Sequence, residues 1–209
     1  MKFARESLTV VLPPAVLALI ALAAALAVNL PVFYYVAAGL AVVALAILMF
    51  FRDPQRVTPT EEGNVVAPAD GRVLLSETMD DGRKRVAIFM SVLNVHVNRC
   101  PVSGSVTQVN SIPGTYLNAA HANATSRNAR VTVKAESPAG PVEWLQVSGL
   151  IARKISCRLK PHDSFKVGDR FGLIYFGSRM EVYLPETANL IAKPGDKVRA
   201  GESVIAKLL

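Results

Sequence analysis

Residues 7–51 form a run of forty-five positions without a single charged side chain. About 20 apolar residues cross a hydrocarbon core, so the run is too long for one span and long enough for two. Asn29-Leu30-Pro31 interrupts it with a polar residue and a proline. The sequence therefore predicts two helices, at 8–28 and 32–51, joined by a tight turn. Lys2 and Arg5 flank one end, and Arg52 and Arg56 the other. Because positive residues stay on the cytoplasmic side, both ends of a spanning hairpin are predicted to lie inside. A re-entrant hairpin that does not cross is the alternative geometry. A cleaved secretory signal would also begin with Lys2 and Arg5, but it would not need the second apolar run.

Charges are dense from Arg52 onward, dividing the chain into a membrane anchor at 1–51 and a soluble domain at 52–209. Lys2 and Arg5 against Glu6 leave +1 in the first part, so the second carries +6 of the total +7. A basic domain beside a bilayer is drawn to anionic lipids. Nucleic acid is the other common partner of basic charge, but no Arg/Lys block with interleaved aromatics supports it. Cys100 and Cys157 make no metal-type cluster and read as free, partly buried thiols of a cytoplasmic domain.

In the soluble part, short Val/Ile-rich runs alternate with turn residues. Strands are predicted at 64–67, 72–76, 84–92, 105–109, 130–135, 142–147, 155–159, 170–176, 180–184 and 203–208. Prolines and Asp81-Gly82 punctuate them. No amphipathic helix of ordinary length is apparent. Residues 160–169 and 193–202 share the pattern K-P-x-D-x-[FV]-x-x-G-[DE] at an offset of 33. Two copies are too few for a solenoid. They fit a compact β-sandwich resembling the barrel-sandwich hybrids of lipoyl and biotinyl domains. The predicted fold is an α-helical transmembrane hairpin followed by an all-β domain. The polar stretch 118–128 lacks strand character and reads as either a mobile surface loop or a lid over substrate.

The strongest chemical signal is Gly177-Ser178, directly after the apolar run 171–176. Alone, Gly-Ser is as well explained by a β-turn. Its surroundings change the weighting: GLIARKI at 149–155, KPHDSFKVGDRFGLIYFGSRMEVYLP at 160–185, the KPGDKVRAGE stretch, APADG at 67–71 and NVHVNRCPVSG at 94–104. Together, and in this order, they resemble the short (type A) form of the phosphatidylserine decarboxylase family.

That resemblance implies a proenzyme cut between Gly177 and Ser178 into a β chain (1–177) and an α chain (178–209). The Ser178 hydroxyl attacks the preceding carbonyl, turning amide into ester. Elimination then releases the upstream chain, and hydrolysis of the dehydroalanine leaves a pyruvoyl group and ammonia. Serine is the residue whose side chain leaves an unsubstituted pyruvoyl by this route, and glycine leaves the carbonyl unobstructed. The pyruvoyl ketone would take the substrate amine as a Schiff base and act as electron sink while CO₂ departs, giving phosphatidylethanolamine. The resemblance also implies a cofactor made from Ser178 with no metal. It implies phosphatidylserine and anionic membrane lipids as partners, no nucleic acid, and an inner-membrane location facing the cytoplasm. A homodimer is left open.

By the same resemblance Asp70 is expected to serve self-cleavage and His96 decarboxylation, although taken alone they read as a turn residue and a structural histidine. The second histidine of the longer relatives' H-x-x-H-x-P pattern is Arg99 here. An arginine is no base near neutral pH, so His96 serving both steps, or His121 entering from the polar loop, are the alternatives. Arg99 would instead bind lipid phosphate or carboxylate. His162 reads as a turn residue, since the other repeat copy has Gly195 there. An ether-linked serine lipid would suit the same chemistry. A non-enzymatic carrier domain would need a lysine in a tight hairpin where this chain has FGSRME.

Overall fold

The computed structural model describes residues 2–150, 154–175 and 177–208. The predicted strand end at Phe176 and part of the 149–155 stretch lie outside them. The chain forms two compact units, Met1–Gln55 and Arg56–Leu209.

The first unit is a helical hairpin. α1 (Ser7–Val28) and α2 (Pro31–Phe50) are each about 30 Å long at 1.5 Å per residue, and their apolar side chains are largely exposed. The turn follows from its residues. Asn29 takes the left-handed conformation (φ 54°) that asparagine tolerates, and its N–H closes α1 on the Ala25 carbonyl at 2.9 Å. Pro31 then starts α2, where its missing N–H costs nothing. At the open end, β1 (Lys2–Phe3) pairs antiparallel with β2 (Arg52–Asp53), tying the two ends of the hairpin together. Two such helices are compatible with membrane association.

The second unit is all β apart from α3 (Ala124–Arg127). In chain order its strands are β3 (Asn64–Val66), β4 (Gly71–Thr78), β5 (Lys84–Met90), β6 (Val97–Arg99), β7 (Gly104–Ile112), β8 (Arg130–Ser137) and β9 (Gly140–Val147). They continue with β10 (Ile155–Cys157), β11 (Ser164–Phe165), β12 (Arg170–Ile174), β13 (Ser178–Leu184), β14 (Asn189–Leu190), β15 (Lys197–Val198) and β16 (Val204–Lys207). An eight-stranded antiparallel sheet runs β11-β7-β8-β9-β13-β5-β4-β15; two three-stranded sheets run β10-β12-β6 and β14-β16-β3. All three enclose one core that includes Ile88, Val133, Trp144, Phe171, Met180, Val182 and Ile205.

The 33-residue repeat is the visible part of a duplication. β3, β4, β5, β13, β14, β15 and β16 match β6, β7, β8, β9, β10, β11 and β12 in order and pairing. β15 and β11, the anchors of the two repeat copies, cap opposite edges of the large sheet. The turns agree bond for bond. Lys193 and Lys160 donate their N–H to Asp196 and Asp163 Oδ2, both at 2.8 Å. Gly201 and Gly168 donate to the Ala67 and Cys100 carbonyls at 2.8 and 2.9 Å. His162 has φ 74° where its counterpart Gly195 has φ 97°, which accounts for it as a turn residue. The second half, β6 to β12, is inserted between β5 and β13 of the first. Its own β8–β9 hairpin closes over Pro138-Ala139. The matching hairpin in the first half is open: the chain leaves after Met90 and returns at Gly177-Ser178.

Candidate active site

Ser178 is the first residue of β13, paired with Met90, the last of β5. It is fully buried, and its Oγ finds no hydrogen-bond partner among the described residues. Such an atom is expensive unless the site uses it. Gly177 has φ 68°, a left-handed conformation that a β-branched or bulky residue would strain to adopt. Gly149 packs on the Gly177 carbonyl, and a Cβ added to it would fall 2.1 Å from that oxygen. Gly149→Ala is therefore expected to displace the carbonyl and stop chain cleavage, visible as uncut precursor on a denaturing gel. Cleavage at the normal rate would show that this close approach is not needed.

His96, wholly buried, reaches the backbone N–H of Gly177 from the connection between β5 and β6. Its Nδ1 lies 2.9 Å from the Asn94 carbonyl, and its Nε2 lies 3.3 Å from the Gly177 nitrogen. A carbonyl only accepts and an amide N–H only donates. Nδ1 therefore carries the proton, and Nε2 presents a lone pair one residue from Ser178. The two contacts fit the Nδ1–H tautomer, with Nε2 accepting the Gly177 N–H.

Asp70 is placed differently. Its carboxylate takes two hydrogen bonds from Arg56, at 2.8 and 3.0 Å, and one from the Ala200 N–H at 2.8 Å. Arg56 also reaches Glu202 at 3.1 Å. The Ala200 bond belongs to the duplication, since Ser103, the counterpart of Asp70, accepts the Val167 N–H at 2.9 Å. Asp70 nevertheless lines a cleft of about 710 Å³ with Ser91 and Asn94, and Asn94 is the residue that orients His96. Arg56, counted from sequence as a flanking charge of the anchor, is thus an ion-pair partner inside the second unit.

Arg99 is buried, donates to the Gly168 carbonyl at 3.0 Å and packs against Gly201. Where the longer relatives have a histidine, this chain has a guanidinium embedded in a repeat turn. His121 is exposed, its Nδ1 accepting the Asn123 N–H at 3.2 Å. Its segment is more ordered than a bare surface loop. Asn128 is buried and bridges the Leu117 and Ser148 carbonyls, both at 2.8 Å. Thr125 donates to Glu181 Oε1 at 2.5 Å.

That last contact belongs to a buried polar row the sequence did not reveal. Arg179, Glu181 and Tyr183 share one face of β13, opposite the core-facing Met180, Val182 and Leu184. Arg179 Nε lies 2.6 Å from Glu181 Oε1, an ion contact whose angle is too poor for a hydrogen bond. The Tyr183 hydroxyl donates to Glu181. Burial and the neighbouring Glu181 charge push the Tyr183 hydroxyl up, so it stays a donor. Burial likewise raises both free thiols, Cys100 and Cys157, so neither supplies a thiolate at neutral pH.

The sequence profile described as phosphatidylserine decarboxylase matches residues 43–206. A protein from Chlorobium chlorochromatii named phosphatidylserine decarboxylase proenzyme is 45% identical over 175 residues, covering 81% of this chain and 82% of the relative. Its namesake from Chlorobaculum parvum is 40% identical over 185 residues, covering 83% and 86%. One from Paramagnetospirillum magneticum is 42% identical over 169 residues, covering 76% and 70%. With His96 on the Gly177 N–H beside a buried Ser178, and with relatives of this similarity, the chain belongs to the phosphatidylserine decarboxylase family, a family of decarboxylating lyases.

Proposed function

We propose that the chain is a proenzyme that cuts itself between Gly177 and Ser178 and then decarboxylates phosphatidylserine to phosphatidylethanolamine. The observation that carries this reading is the Ser178 Oγ, buried and without a hydrogen-bond partner among the described residues, next to a left-handed glycine whose N–H lies 3.3 Å from His96 Nε2. His96 accepts the proton of the Ser178 hydroxyl as that oxygen attacks the Gly177 carbonyl carbon. The peptide C–N bond breaks, the proton passes to the departing nitrogen, and an ester remains. Loss of the Ser178 α-proton and cleavage of the Cβ–O bond then release the upstream chain as a carboxylate. Water converts the remaining dehydroalanine to a pyruvoyl end with loss of ammonia.

A pyruvoyl carbonyl at position 178 supplies an electrophile for the substrate amine and a sink for the electron pair left when CO₂ departs. The residues present fit such a group: the strand end is buried, and among the described residues beyond its chain neighbours a Cβ added to Gly177 would meet only Val92 Cγ1, at 3.9 Å. His96 contacts the Gly177 N–H at 3.3 Å, and we assign it to both steps. Asp70 is assigned a positioning role. It fixes the Ala200 turn and the wall of the cleft behind Asn94. Release of labelled CO₂ from carboxyl-labelled phosphatidylserine by the purified full chain tests the activity; a self-cleaved chain that releases none would refute it.

Removing one partner of a buried ion pair typically costs about 3–5 kcal/mol. Asp70→Ala strands Arg56 with Glu202 alone and is expected to accumulate precursor. Asp70→Asn keeps an acceptor for the Ala200 N–H and should cleave faster than the alanine variant. If asparagine and alanine are equally inactive although both are folded, the carboxylate itself does chemistry.

The hairpin is proposed to span the inner membrane with the β domain on the cytoplasmic side. Lys2, Arg5 and Arg52 support this, as does the β1–β2 pairing that holds both hairpin ends together. A cysteine replacing Leu30 should react with an impermeant thiol reagent from the periplasmic side, and a periplasm-dependent reporter fused after residue 209 should stay silent. Labelling of position 30 only from the cytoplasm would contradict a spanning hairpin.

A further inference from the structure

Ser178 is fully buried, yet the two loops that touch Gly177 carry exposed aliphatic side chains. Leu93 is 80% exposed and Val92 46%, both in the connection leaving β5; Leu150, 64% exposed, directly follows Gly149. These loops touch the site itself, Val92 facing the Cα of Gly177 and Gly149 packing on its carbonyl. Ser91 and Asn94, which bracket Val92 and Leu93, also line the cleft that carries the exposed cations Arg72, Lys197 and Arg199. Scattered exposed aliphatics are ordinary on any protein surface. Three on the two loops that touch Gly177, one of these loops also lining a cleft with three cations, are not scattered.

We propose that Val92, Leu93 and Leu150 form an apolar rim that enters an anionic bilayer around the mouth of the active site, while Arg72, Lys197 and Arg199 meet the lipid phosphates. This rests on the phospholipid-decarboxylase reading. The substrate of such an enzyme keeps its acyl chains in the bilayer, so its headgroup must reach a buried residue 178 without the lipid leaving the membrane. A rim that dips below the headgroups brings the buried site to the depth of the serine moiety. Apolar insertion and basic attraction are the two signals that together give stable surface attachment. The occupant is therefore a bilayer rather than a protein, because the cation excess matches anionic headgroups and the rim lies on the loops that touch a lipid-processing site.

The test uses the full chain reconstituted into phosphatidylcholine vesicles containing phosphatidylserine, with bromine on the acyl chains. Tryptophan is placed at position 93, 150 or 191; Ile191 is exposed but directly follows β14 and bonds to Ile205 of β16, in a sheet that does not contain β13. The native Trp144 is fully buried and gives a constant background. The new tryptophans of Leu93→Trp and Leu150→Trp should be quenched at least twofold more than that of Ile191→Trp. Equal quenching at all three positions would overturn the rim, as would shielding of 93 and 150 that depends on protein concentration, the sign of a second copy or another protein. In the Leu93→Ser, Leu150→Ser double variant, turnover on vesicles should fall about tenfold or more, through a higher apparent KM for surface lipid with kcat little changed. A self-cleaved double variant with native vesicle kinetics would overturn the rim and leave the decarboxylase reading standing. A self-cleaved wild-type chain that releases no CO₂ would remove that reading instead.

Discussion

Ser178→Ala is expected to remain a single 22.4 kDa chain without decarboxylase activity. The expected loss is complete, because the substitution removes the nucleophile of the cleavage step and the carbon skeleton of the pyruvoyl group together. Misfolding would be a poor explanation of that result. Ser178 Oγ is buried with no hydrogen-bond partner among the described residues, and leaving a buried polar group unpaired costs about 1–3 kcal/mol. Deleting it should leave the thermal midpoint of the variant at or above that of uncut wild-type precursor. A Ser178→Ala protein that still released CO₂ would end the mechanism proposed here.

His96→Ala is expected to slow both chain cleavage and lipid turnover, each by about 10²–10⁴-fold, the usual contribution of a placed acid or base. Cleavage is read from the ratio of precursor to products over time. Turnover is read from CO₂ released per mole of already cleaved chain, so that the two effects separate. Normal cleavage in His96→Ala, with only turnover impaired, would restore the division of labour that the family resemblance suggests and send the cleavage base back to Asp70 or His121.

Much of this protein is legible in its sequence because the informative patterns are local. The uncharged run marks both helices, and Asn29 and Pro31 mark the turn between them for reasons intrinsic to those residues. Every predicted strand segment appears. Those missed, β1, β2, β6, β11, β14 and β15, are two or three residues long, too short to show a period of two. The repeat is readable where two turns repeat a lysine, a proline, an aspartate and a glycine. Its extension to 67–71 and 100–104 is not, because only a proline and a glycine survive in both. Gly177-Ser178 stands out because it is contiguous, and His96 because its neighbours resemble a family motif. Gly149 lay inside a quoted stretch, GLIARKI, without its role being visible, since the constraint comes from a backbone segment nearly thirty residues away. The row Arg179, Glu181, Tyr183 alternates correctly for a strand but looks like an ordinary solvent face. Only the return of Thr125 over it reveals that the face is buried. Arg56 misled for a similar reason: beside an apolar run a cation suggests a membrane flank, and its partner Asp70 is named only by the folded chain.

The measurement that bears most directly on self-processing is the intact mass of the purified wild-type protein under denaturing conditions. Autocatalytic cleavage predicts two chains, of 177 and 32 residues. The smaller should be lighter than a serine-started peptide by the mass of one ammonia and should be blocked to Edman degradation. A single uncut chain, or a small chain that begins with a free serine amine, would contradict it.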